Sequence, residues 1–339
     1  MHSNHTKNCK ICNSAATLVK ENHQGYIKGS SFDIYHCSAC DTSFADCENF
    51  STDIYQFIYS DPARTPGYNR YYFYADSIKR VSRPLDYLSN FEPMYWAVRK
   101  ILSEQYTDKK FNILEVGSGL GYLTYAIREE GYNITGLDIS ENAVRDATNR
   151  FGDYFIAADI FEYYKTKAKS YDLIIMTEVI EHLEDPKPFI ECVLEMLKDG
   201  GQVVITTPNR TVNDTAALWS TELPPVHLWW FSEQSVKALA RELSCNSKML
   251  DFTDFNRTHF DKMRFKIYKA YDYGPTLDMT GKLIHPQSWT PPGRAGLKNI
   301  LQRVAAIVSA YEPFNTLLTR KEYPIHKSST LAFMLSKRK

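Results

Sequence analysis

The chain has 339 residues, 43% of them hydrophobic and 24% charged, so it can hold one large domain plus a smaller module, or two domains. Forty basic residues balance forty acidic ones, leaving no net field to draw in duplex nucleic acid or an anionic membrane surface. No apolar run approaches the roughly 18 residues that cross a bilayer, and Met1-His-Ser-Asn-His lacks a signal-peptide core, which predicts a cytoplasmic protein.

Residues 1–50 read as a cysteine module. Cys9-Lys-Ile-Cys12 and Cys37-Ser-Ala-Cys40 are two C-x2-C knuckles with 24 residues between them. In a cytosolic chain that spacing points to a zinc-ribbon-like site rather than to disulfides. Four thiolates close the coordination shell, so the expected zinc is structural and staples a segment too small for its own core. Gly25 and Gly29 punctuate a hairpin, Ser31–His36 alternates like a strand, and Cys47 stands outside the pattern.

Residues 51–110 are rich in aromatics, with Tyr55, Phe57 and Tyr59 followed by Tyr68, Tyr71, Tyr72, Phe73 and Tyr74. Pro62, Pro66 and Pro84 cut the stretch into short helices, and Pro93 suits the first position of a helix over Met94–Leu102. The segment is expected to link module and core, or to cover a pocket with Tyr71, Tyr72 or Tyr74.

Strand and helix then alternate through residues 111–207, the signature of a parallel sheet with helices on both faces. Strands are predicted at 112–116, 133–139, 154–159, 171–177 and 202–207, with helices at 120–130, 140–150, 160–167 and 187–198. Met249–Phe255 suits a sixth strand and Ser329–Leu335 a seventh. Ligands of such sheets lie beyond the carboxyl ends of the strands, and chemistry-bearing residues fall there. Gly117, Gly119 and Gly121 follow the first strand, with Glu115 just before them; Asp138-Ile139 ends the second and Asp159-Ile160 the third. A helix N-terminus behind bare glycine backbone receives a ligand closely. Asp138 stands 21 residues after Gly117, where an acid accepts both hydroxyls of a ribose.

The stretch Glu115-Val-Gly117-Ser-Gly119-Leu-Gly121, with Tyr122 where a dinucleotide fingerprint carries its last glycine, resembles motif I of the class I S-adenosylmethionine (SAM) methyltransferases. Asp138, Asp159 and Gly200-Gly201 before Thr-Thr-Pro208-Asn209 fall in register with that family over residues 111–245. The resemblance implies an α/β, seven-stranded, mostly parallel doubly wound sheet. It also implies SAM contacts at Glu115, Gly117, Gly119, Gly121, Asp138, Ile139, Asp159, Ile160 and Glu178.

After the fourth strand comes Glu178-Val-Ile-Glu181-His182, and after the fifth Pro224-Pro-Val-His227. On a helical turn Glu178, Glu181 and His182 share one face. With His227 they form a quartet suited to Mg²⁺, Mn²⁺ or Zn²⁺. Alternatively His182 or His227 acts as a plain base. The segment is similar to that of ubiquinone-biosynthesis O-methyltransferases and of small-RNA 2′-O-methyltransferases, while the cysteine module ahead of a SAM domain resembles deoxysugar C-methyltransferases. Trp229, Trp230 and Phe231 read as core.

The expected division is a zinc-ribbon-like module at 1–50, an aromatic linker or lid at 51–110, the SAM core at 111–255, a pocket-capping or partner-binding insertion at 256–328 carrying a helix near Ala295–Tyr311, and a last strand with basic tail at 329–339. The expected function is SAM-dependent O-methylation of a hydroxyl-rich small molecule, such as a sugar or surface-glycan precursor. RNA-terminal 2′-O-methylation and a non-enzymatic SAM-binding scaffold are the alternatives, the zero net charge speaking against nucleic acid.

Overall fold

A computed structural model describes residues 6–47, 53–212, 223–266, 274–291, 297–321 and 323–338. The cysteine module folds into β1 (Thr6–Asn8), β2 (Ala15–Gln24), β3 (Ser31–Cys37) and β4 (Thr42–Ala45), each antiparallel to the next. The aromatic stretch forms α1 (Asp53–Ser60), α2 (Asn69–Ser77), α3 (Pro84–Ser89) and α4 (Pro93–Gln105). Pro93 opens α4 as expected, and the helix buries Met94, Val98, Ile101 and Leu102 along one apolar stripe.

The core follows as β5 (Asn112–Val116), α5 (Tyr122–Glu129), β6 (Asn133–Asp138), α6 (Glu141–Phe151), β7 (Phe155–Ala157), α7 (Ile160–Tyr163), β8 (Tyr171–Thr177), α8 (Pro186–Glu195) and β9 (Leu197–Pro208). Then come β10 (Trp229–Trp230), α9 (Glu233–Glu242), β11 (Cys245–Met249), α10 (Thr253–Thr258), α11 (Leu297–Val308), α12 (Phe314–Leu318) and β12 (Thr330–Lys337). The large sheet has seven strands in the order β11-β12-β9-β8-β5-β6-β7. Neighbours from β9 to β7 run parallel, and β12 is antiparallel to both β9 and β11. That is the class I methyltransferase fold.

Alternate residues of the central strands serve opposite faces, as a pleated strand requires. Leu114, Ile174, Met176, Val203 and Ile205 join the core shared with the cysteine module. Ile113, Leu173, Ile175 and Val204 join the core beneath α2–α4. Burial on both faces explains why these strands read as apolar runs.

Two expectations are corrected. The sixth strand is Cys245–Met249 rather than 249–255; the Asp251 carboxylate accepts the Thr253 amide at 2.7 Å and starts α10 inside the predicted strand. The cysteine module does not end at its own sequence, because β10 pairs with β4 through Trp229↔Phe44 and Trp230↔Ser43. The predicted helix near Ala295–Tyr311 is observed as α11, its first two positions lying outside the described residues.

Candidate functional site

A cavity of about 1690 Å³ opens beyond the carboxyl ends of β5, β6, β7 and β8. Its floor begins at the glycine turn. Gly117 has φ +76 and lies so close to Val179 that a Cβ would meet Cγ2 at 2.4 Å. Gly119 has φ +49 and open space around it, the nearest atom to an added Cβ being the Tyr59 hydroxyl at 3.7 Å. A side chain at 119 would therefore fill the cavity rather than clash with protein. Gly121 lies outside the cavity lining; a Cβ there would sit 2.7 Å from Ala147 and Phe155, so this glycine lets α5 pack. The sequence grouped all three as ligand contacts, and the structure separates them.

Asp138 ends β6 and accepts the amides of Gly119 at 2.7 Å and Ser140 at 2.9 Å, one on each oxygen. Each oxygen keeps a second lone pair for a ligand hydroxyl. Burial holds this carboxyl above its usual range despite those amide bonds. Ile139, 63% exposed, presents an apolar surface beside it. Asp159 caps α7 by accepting the Phe161 amide at 2.7 Å on Oδ1, which leaves Oδ2 for a ligand; Ile160 lines the cavity next to it.

Glu115 is 2% exposed and accepts a hydrogen bond from the Thr124 hydroxyl. Burial pushes its pKa up to about 8, against the Thr124 bond that favours the anion. A buried carboxyl of this kind becomes ionised most readily when a cationic group of a ligand meets it.

Of the predicted quartet, the structure brings Glu181, His182 and His227 together and holds Glu178 apart from them. Glu178 is held at φ +55 in a bend, and only Ile180–His182 forms a turn of 3-10 helix, so the helical spacing rule does not reach back to 178. Glu178 accepts from the Thr206 hydroxyl at 3.0 Å, and burial pushes its pKa up to about 7 against the positive charge of Arg70. Glu181, His182 and His227 each offer one ligand atom, all within 4.8 Å of one another. Glu181 is fully buried and is oriented by the Thr207 hydroxyl at 2.9 Å. His182 Nδ1 donates to the Val226 carbonyl at 2.6 Å, which leaves Nε2 as the lone-pair atom. Such a backbone bond orients an imidazole toward a metal. Burial lowers the His182 pKa to about 4, and burial plus the charges of His182 and Arg70 drops His227 well below the ordinary value. Both rings are neutral at pH 7. Three donors of this set leave open coordination positions for substrate oxygens.

Segments far apart in the chain pack together beside the cavity. Tyr26 of the cysteine module, Ile54, Ile58 and Tyr68 of the aromatic stretch, Val226 and Leu277 share one apolar cluster. Trp289 packs edge-on against Phe73 and Tyr74. Tyr71 and Tyr72 line the cavity, whereas Tyr74 is buried beneath it and donates to Glu92 at 3.0 Å. One residue the sequence reading passed over stands among them. Arg70 lines the cavity, donates to the Tyr71 hydroxyl at 2.7 Å and lies 3.6 Å from a Glu92 oxygen. Its only sequence signal is a cation inside an aromatic run.

Away from the cavity, Cys9, Cys12, Cys37 and Cys40 bring their sulfurs within 4.8 Å of one another. The Cys9–Cys40 and Cys12–Cys37 separations are 3.7 and 3.5 Å. A tetrahedron with Zn–S bonds of about 2.3 Å has edges of about 3.8 Å, so the four thiols fit such an ion. None of the seven cysteines is in a disulfide. Among the described residues no helix is long and apolar enough to cross a membrane.

Residues 67–246 match the family described as "Methyltransferase domain", just over half of the chain. The chain is 33% identical over 142 residues to the ubiquinone biosynthesis O-methyltransferase of Idiomarina loihiensis, covering 39% of this chain and 58% of that one. It is 32% identical over 116 residues to the enzyme of the same name from Coxiella burnetii, covering 33% of this chain and 49% of that one. The chain thus spans about half the length of the curated relatives it matches. A solved SAM-dependent methyltransferase from Archaeoglobus fulgidus superposes with a TM-score of 0.43 at 19% identity, covering 79% of this chain and 100% of that one.

Proposed function

The chain belongs to the methyltransferase-domain family, and on that premise we propose that it transfers the methyl group of SAM to a hydroxyl of a small, hydroxyl-rich acceptor, such as a sugar or a surface-glycan precursor. The observation that carries the O-directed reading is the convergence of buried Glu181 with His182 and His227, the two histidines lining the glycine-floored cavity. When bound, SAM supplies an electrophilic methyl group that is already activated by its sulfonium charge. The protein's part is to orient the donor, align the acceptor and remove a proton.

In this reading Asp138 accepts the ribose hydroxyls, Asp159 takes the adenine amino group, Ile139 and Ile160 line the adenine slot, and Glu115 meets the ammonium group. The Gly117–Gly119 backbone lets the methionine portion approach, with Glu178 bordering it. A neutral imidazole at His182 or His227 takes the acceptor's proton on a ring nitrogen. A pKa as low as that of His182 makes a weak base for an aliphatic hydroxyl, which favours assistance by a divalent ion. Glu181, His182 and His227 would hold such an ion, Mg²⁺, Mn²⁺ or Zn²⁺, which would acidify the acceptor hydroxyl. Cys9, Cys12, Cys37 and Cys40 would hold a structural zinc, and a cytoplasmic setting suits their free thiols.

A phenolic acceptor is the second reading. It is favoured by the tyrosine-rich cavity wall and by the ubiquinone-biosynthesis name of the relatives. Incubation with methyl-labelled SAM and an extract of sugar nucleotides, glycans and phenols separates the two, because the labelled ether identifies its class. Tight SAM binding with no labelled product would instead leave a scaffold.

A further inference from the structure

The cavity holds a cation that SAM recognition, as described above, leaves unused. Arg70 sits on α2, and its guanidinium stacks over the Tyr71 ring with 4.7 Å to the centroid. One terminal nitrogen donates to the Tyr71 hydroxyl at 2.7 Å. The other lies 3.6 Å from Glu92, longer than a good charge-assisted hydrogen bond. Its Nε is sealed from solvent and has no hydrogen-bond partner. An arginine carries five N–H donors in a fixed fork, and a buried donor without an acceptor costs free energy. Burial would lower its pKa, but the charge of Glu92 and the contact with Tyr71 more than offset that and keep it charged.

The position of the guanidinium selects its ligand. Its charge acts on His227, which stands beyond β9 with His182 where the acceptor is placed, and also on Glu178, which borders the donor's methionine portion. A planar, bidentate donor facing a pocket of this size matches a carboxylate or a phosphate.

We infer that Arg70 anchors an oxyanion on the methyl acceptor, so that the substrate is a hydroxyl compound bearing a carboxylate or phosphate near the methylated oxygen. Uronic acids, sugar phosphates and hydroxybenzoates share that chemistry. The inference rests on the methyl-transfer reading above and narrows its substrate class.

The test uses two probe pairs that differ only in the anion: 3,4-dihydroxybenzoate against catechol, and glucose 1-phosphate against glucose. Calorimetry on the full-length protein first measures S-adenosylhomocysteine, then each probe in its presence, for wild type, Arg70→Lys and Arg70→Gln. Wild type is expected to bind at least one anionic member about tenfold or more tightly than its neutral partner. Arg70→Gln should abolish that preference, Arg70→Lys should retain part of it, and S-adenosylhomocysteine affinity should stay within about twofold. Carboxylate or phosphate preference then names the source of the anion. Equal binding of both members of each pair by wild type overturns the inference. So does a loss of S-adenosylhomocysteine affinity in Arg70→Gln, which would assign Arg70 to the donor's carboxylate. If wild type binds no S-adenosylhomocysteine, the methyl-transfer reading itself falls.

Discussion

The indole Nε1–H of Trp229 donates to the carbonyl of Leu183 at 2.7 Å, joining the strand that completes the cysteine module's sheet to the turn that carries His182. Around that bond the module grips both histidine-bearing segments. The Ala45 amide donates to the Leu228 carbonyl at 2.8 Å, Lys10 donates to the Glu184 carbonyl at 3.2 Å, and Arg210 pairs with Asp41 beside Cys40.

The cysteine cluster should therefore govern chemistry more than donor binding. Cys37→Ser is expected to lower bound zinc below one per chain and to slow methyl transfer about tenfold or more, because small displacements of reacting groups are costly. SAM affinity should remain within about twofold of wild type. Metal analysis, turnover and calorimetry on one preparation check this; an unchanged turnover with zinc lost would disconnect the module from the site.

Asp138→Ala should weaken SAM binding by roughly 10- to 100-fold, the range for losing hydrogen bonds to a charged acceptor. Asp138→Asn keeps one acceptor oxygen but turns an NH2 donor toward the amide of either Gly119 or Ser140, so it should lose less than Asp138→Ala but not match wild type. Equal SAM affinity in all three proteins would refute the cofactor assignment.

The two cavity glycines should fail differently. Gly117→Ala places a Cβ against Val179 at a positive φ, so it should lower the melting temperature through strain of about 1–3 kcal/mol. Gly119→Ala meets no protein atom closely and should cost only about 1 kcal/mol of backbone strain. Its main effect should be on SAM affinity. Thermal melts with and without S-adenosylhomocysteine separate the two outcomes.

Glu115 gives the ligand-free protein a pH-dependent stability. Its pKa is about 8 in the folded chain against an ordinary 4.5, so the folded state holds a proton that the unfolded state releases. Stability from this group is complete below pH 4.5 and declines as pH rises to 8, by about 5 kcal/mol at most. Glu115→Gln should flatten the fall in denaturation midpoint between pH 5 and 8. An identical slope in both proteins would place the Glu115 carboxyl in an ordinary environment.

Much of the core was legible because parallel strands buried on both faces read as apolar runs, and ligand groups must follow them. Asp138 and Asp159 fall at strand ends for that reason, and Ser140 caps α6 as expected, accepting the Ala143 amide at 3.2 Å. The failures have local causes. Glu178 stands apart from Glu181, His182 and His227 because a positive φ interrupts the helical turn assumed for it. The sixth strand slipped because the Asp251–Thr253 turn starts a helix within an otherwise strand-like stretch. The two-residue strand Trp229–Trp230 owes its existence to β4, nearly 190 residues earlier, and no local pattern announces it. Arg70 gave no local signal for a related reason: Glu92, which pairs with it across the cavity wall, lies 22 residues later in the chain and meets it only in space.

The central claim is that the Glu181–His182–His227 group acts on the acceptor hydroxyl of the SAM-bound protein. The direct measurement is the initial rate of methyl-label transfer from saturating SAM to the identified acceptor, in wild type and in His227→Ala. The account predicts a fall of about 100-fold or more in the variant, with SAM affinity unchanged. Equal rates in the two proteins would contradict it.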